Sequence, residues 1–103
     1  MTAADLIAST LSDLAKAEAA FADHHARAMF TDSACARFDL GLASGRAAMT
    51  MAKAALEHGL LDERQIANVG TAATQIGESA RGLTDLMREA HIAWHQANVG
   101  PVQ

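Results

Sequence analysis

Apolar and small residues recur along the chain at alternating intervals of three and four, in three separate runs. In the third run they fall at Ile66, Val69, Ala73, Ile76, Ala80, Leu83, Met87, Ala90 and Trp94. That spacing is the heptad seam of an amphipathic helix. Asp62 stands where an N-cap is needed, Gln65 can complete a capping box, and Leu61 with Ile66 can form a hydrophobic staple. Beside the seam runs a second line at sevenfold spacing: Gly70, Gly77, Thr84 and His91. Glycine inside a helix costs about 1 kcal/mol relative to alanine, so two in register predict a close helix neighbour. The helix is expected to end near Asn98, before Gly100-Pro101.

The second run repeats the design. Cys35, Phe38, Leu42, Gly45, Met49, Ala52 and Leu56 form its seam, and Ala34, Gly41, Ala48 and Ala55 a parallel line of small residues. Gly59 supplies a C-cap, and the short link to Asp62 predicts an antiparallel hairpin of the second and third runs. Their two small-residue lines are expected to face each other.

The first run starts with Thr2 as cap, Asp5 for a capping box and Met1 with Leu6 as staple. Its seam is Ala4, Ile7, Leu11, Leu14, Glu18, Phe21, His25 and Ala28. Glu18 and His25 intrude on it and read as a polar pair that fixes register or as residues facing solvent in a less closed seam, with a general acid and base as the functional alternative. Thr31-Asp32-Ser33 is a cluster of capping residues where the seam also changes phase, so a break is expected there. A bent but continuous helix is the alternative. The sequence thus predicts a single all-α domain over residues 1–103. It is an up-down-up bundle of three long helices at about 3–30, 33–58 and 63–97. At 1.5 Å per residue they would be ~40, ~39 and ~52 Å long. The spacings Asp23–Arg27, Lys53–Glu57 and Arg81–Asp85 allow i,i+4 ion pairs on solvated faces.

Composition narrows the picture. Hydrophobic residues make up 50%, much of that alanine, while Phe, Trp and Tyr together make up only 4%. So thin a core must pack closely to reach normal density. Completion as a larger bundle by homodimerisation is expected, or contact with another helical protein. Net charge is −4 and the cations are scattered, which argues against nucleic acid and against anionic membrane surfaces. The residues after Met1 lack a signal core, and no stretch has the ~20 apolar residues a bilayer span needs. A cytoplasmic protein of bacterial type is the expectation. Ala-rich helices of this kind occur in chemoreceptor segments, granule-coating proteins and small bacterial adaptors, a likeness of composition that rests on no motif.

An up-down-up bundle gathers the end of the first helix, the start of the second and the end of the third. There the chain carries His24, His25, Phe30, Cys35, Phe38, His91, Trp94 and His95. His91 and His95 share a helix face at i,i+4, and imidazole with thiolate suits Zn or Cu, so His91, His95, His25 and Cys35 are the candidate metal ligands. Phe30, Phe38 and Trp94 are the candidate walls of a ligand pocket. The pair lacks the Glu of a zinc-protease helix, and no phosphate loop or dinucleotide motif is present. No catalytic residue and no resident cofactor other than such an ion is expected. The leading expectation is a non-enzymatic helical interaction or oligomerisation module. The alternative is a metal- or small-ligand-binding bundle that uses the His/Cys/aromatic end.

Overall fold

The computed structural model describes residues 1–99, and among them there are four helices and no strand. They are α1 (Ala3–Phe21), α2 (His24–Arg27), α3 (Asp32–Glu57) and α4 (Glu63–Asn98). Gly100-Pro101, read as the stop of the last helix, lies outside the described residues. Among those described, no helix is long and apolar enough to cross a membrane.

Local chemistry sets the helix ends. Thr2 and Asp5 exchange side-chain and backbone hydrogen bonds at 3.1 Å, and Asp62 and Gln65 do so at 2.8 and 2.9 Å. Both capping boxes thus form where the sequence places them. Thr31 caps α3 by accepting from Ala34 N at 3.1 Å. At the far end of α3, Gly59 takes φ +66°, a conformation that glycine adopts without strain. Gly59 N then donates to Leu56 O and Leu60 N to Ala55 O, a Schellman motif.

The first helix departs from the expected single span of 3–30. It stops at Phe21, and Asp23 starts the four-residue α2. Asp23 Oδ1 accepts from His25 N at 2.9 Å and Ala26 N at 3.1 Å. The carboxylate offers those amides a partner that a continuous helix does not need, and the backbone turns out of helical geometry at ψ 113°. The break at residue 31 is present as well.

The register of contacts fixes the topology. Between α1 and α4 the packed or bonded pairs are Leu6–Gly70, Thr10–Ala73 and Asp13–Arg81. Both members advance together, so the helices run parallel. Between α1 and α3 the pairs Leu14–Gly45 and Phe21–Phe38 run in opposite senses, so these helices are antiparallel. The course is therefore up-down-up, in a molecule 59 × 26 × 15 Å.

One expectation about packing is corrected. α1 lies between the other long helices and packs most extensively on α4, whereas α3 touches α4 little. The small line of α4 accordingly faces α1, not α3. A Cβ at Gly70 would meet Leu6 Cδ1 at 3.4 Å, and one at Gly77 would meet Thr10 Oγ1 at 3.0 Å. The reason is that α1 presents its own small and polar surface there: Thr10 Oγ1 donates to Ala73 O at 2.6 Å, and Asp13 sits buried against Arg81. On α3, Gly41 has nothing within 4 Å of a built Cβ.

The core is made of Ile7, Leu14, Ala17, Phe21, Leu42, Met49, Ala73, Ala80 and Met87, with Ala26 and Ala90 at the α2 end. Only Cys35, Leu42 and Met49 of α3 are buried. Leu14, Leu42, Gly45, Ala48, Ile76 and Leu83 line an open groove between α3 and α4. The expected ion pairs are partly replaced by others: Arg27 bonds Asp39 and Arg81 bonds Asp13, while Lys53–Glu57 stands at 4.0 Å.

Candidate metal centre

The break at Asp23 decides where the first histidine goes. Glu18 and His25 do not pair, as their sevenfold spacing on one helix suggested. Glu18 stays on α1 and takes a two-pronged bond from Arg46 of α3, with both contacts at 2.7 Å. His25 is carried by α2 onto α4, where its ring stacks on the Trp94 indole with centroids 3.7 Å apart and planes at 1°. His24, its neighbour in sequence, is exposed.

α4 brings the other two histidines. His91 and His95 lie one turn apart on one face, with centroids 4.5 Å apart. The His25 ring is 5.7 Å from that of His91 and 5.3 Å from that of His95. One ring nitrogen from each of the three lies within 4.8 Å of the others. A tetrahedral zinc ion with bonds of about 2.0–2.1 Å holds its nitrogens about 3.3 Å apart. The rings would therefore draw in by roughly 1.5 Å, a change within side-chain rotation. His25 and His91 are half-buried and His95 is exposed, so the cluster opens to solvent on the His95 side.

Asp23 stands behind the cluster. Its Oδ1 caps α2, and its Oδ2 lies 2.6 Å from Nδ1 of His91. That nitrogen is shielded from water, yet Oδ2 lies off its N–H direction, so it has no aligned hydrogen bond. The Asp23 carboxyl is held below the usual carboxylate range, chiefly by the Ala26 amide and then by that of His25, with His91 beside it adding to the effect.

The other candidates lie elsewhere. Cys35 is buried, with Sγ 3.6 Å from the Arg27 carbonyl oxygen, and is not among the grouped ligand atoms. It enters from α3, which packs on the α1 side, so it meets the end of α2 and not α4. Phe38 packs against Phe21 at 5.1 Å and Phe30 at 5.4 Å. Phe30 and Phe38 therefore belong to the packing around the core, and only Trp94 of the three aromatic candidates stands at the histidines. Asp23 was read in the sequence only as a surface partner of Arg27. The signal that could have found it is an Asp two residues ahead of a histidine in the place of an N-cap.

Imidazole-only sets of this kind suit Zn(II) or Cu(II), and three ligands leave a position for water or an exogenous donor. Compared with known proteins, the chain matches no family model, no curated protein and no solved structure.

Proposed function

We propose that this protein is a non-enzymatic helical bundle that binds one late first-row divalent ion, Zn(II) or Cu(II), through His25, His91 and His95. The observation that supports the reading is the convergence within 4.8 Å of three ring nitrogens from two elements, one from His25 on α2 and two from His91 and His95 on α4. Two of these rings come from one helical turn, a pair that arises easily in a helix. The third arrives only because the chain breaks at Asp23 and α2 stacks its histidine on Trp94. Cys35 lies apart from the histidines, so no thiol and imidazole are assembled as nucleophile and base.

Calorimetric titration of untagged protein with zinc chloride tests the reading, together with melting in the same buffer. The expected result is one ion per chain and a raised melting temperature; an ion at 100 times its Kd stabilises by about 2.7 kcal/mol. His25→Ala and His95→Ala should each lose most of the affinity. No uptake, or uptake that survives both substitutions, would overturn it.

A second reading, self-association, is favoured by a different surface. Leu40, Ser44, Ala48 and Met51 follow one another at helical spacing on α3, and Leu40 and Met51 are 67% and 73% exposed. The apolar groove towards Ile76 and Leu83 continues from Ser44 and Ala48. A second copy is the occupant proposed, because it would cover a helical body only 15 Å deep with an identical apolar face. Sedimentation of wild type and Leu40→Glu/Met51→Glu tests it. A dimer in the wild type that is lost in the double variant is expected, and a monomer at all concentrations is the contrary result.

A further inference from the structure

Resting on the metal-binding reading, we infer that Asp23 is the positioning residue of the site, holding both the segment that carries His25 and the ring of His91. Its two carboxylate oxygens serve the two ligand-bearing elements separately. Oδ1 receives the first free amides of α2, those of His25 and Ala26, at 2.9 and 3.1 Å. These bonds fix where α2 begins and so where the His25 ring is delivered. Oδ2 lies 2.6 Å from Nδ1 of His91 on α4.

The state of that nitrogen gives the direction of the argument. A buried polar atom without a hydrogen bond is uncommon in a folded chain and costs stability. Nδ1 of His91 is such an atom, and the one anionic group beside it is displaced from its bonding direction. A small turn of the ring brings Nδ1–H into line with Oδ2. The same turn commits Nε2, the remaining nitrogen, to an ion. Carboxylates commonly orient metal-bound histidines in this way, by fixing the tautomer and strengthening the ring as a donor. With Oδ1 bonded to the amides of α2 and Oδ2 turned to Nδ1 of His91, the carboxylate is engaged by the ligand-bearing elements, so its part is orientation and not coordination.

Asp23→Asn separates the two tasks, since asparagine caps a helix as well as aspartate but carries no charge towards His91. The variant should melt like the wild type without metal, and its zinc affinity by calorimetry should fall 10- to 100-fold. Asp23→Ala should lower both. In the zinc-loaded wild type, nitrogen chemical shifts should show His91 protonated at Nδ1 and bound through Nε2. Equal zinc affinity in Asp23→Asn and wild type, or a zinc–Nδ1 bond at His91, would overturn the inference while leaving the site in place. A wild-type chain that takes up no zinc would instead overturn the site, and Asp23's role with it.

Discussion

A Cβ added at Gly77 would lie 3.0 Å from Thr10 Oγ1 and 3.3 Å from Asp13 Oδ2, whereas one added at Gly82 would meet nothing within 4 Å. The two glycines share one helix but answer to different constraints. Neither neighbour of Gly77 can give way freely, because Thr10 is bonded to Ala73 O and Asp13 to Arg81. Gly77→Ala should therefore destabilise by about 1–2 kcal/mol despite its better helix propensity, since overpacking outweighs that gain. Gly82→Ala should stabilise by about 0.5–1 kcal/mol, because only propensity and unfolded-state entropy change. Chemical denaturation of the two variants checks both signs. The sequence already pointed to Gly70 and Gly77 as sites of close approach. It did not name the partner, because the lines through Gly70 and through Val69 flank the same buried Ala73 and Ala80, and either could have faced either neighbour.

At the scale of elements, α3 is the loosely held member. Two of its side-chain links to the rest are Arg46–Glu18 and Arg27–Asp39, both well exposed to solvent. Arg46 holds the Glu18 carboxyl below its usual range by hydrogen bonding, and Arg27 does the same for Asp39. A carboxyl whose folded value is lowered adds stability above its unfolded value, and that stability is lost as pH falls through the folded one. Docking of α3 should accordingly be full above about pH 5 and weaken progressively below the ordinary carboxylate range. A melting series across that range checks it, and Glu18→Gln with Asp39→Asn should flatten the profile. Because α3 buries only three of its residues, its amides should exchange with deuterium faster than those in the middle of α1 and α4. The caps of α1, α3 and α4 were legible because capping is local: Thr2, Thr31 and Asp62 act on residues three positions away. The break at Asp23 was hidden for the opposite reason. The seam runs on through Phe21, His25 and Ala28 without glycine or proline. Only the competition between a carboxylate and the helical backbone ends it.

For the molecule as a whole, chain direction alone brings the end of the first helical region to the end of the last. That is why His25, His91 and His95 could be grouped from sequence before any geometry was known. Cys35 and Phe38 were grouped with them by the same reasoning, but α3 lies on the α1 side, and they meet Arg27 and Phe21 instead. Which neighbour a helix chooses depends on the fit of two whole surfaces, and a list of seam positions does not contain it. The metal-binding reading also joins fold to function. An ion shared by α2 and α4 would tie the short α2 to the longest helix, so stability and metal occupancy should rise together. Diffraction from crystals of untagged protein grown with zinc, recorded on both sides of the zinc absorption edge, tests this centre most directly. The account predicts one anomalous peak per chain, within bonding distance of a ring nitrogen from each of His25, His91 and His95. Three histidines with no peak between them, under conditions where zinc is in excess, would contradict it.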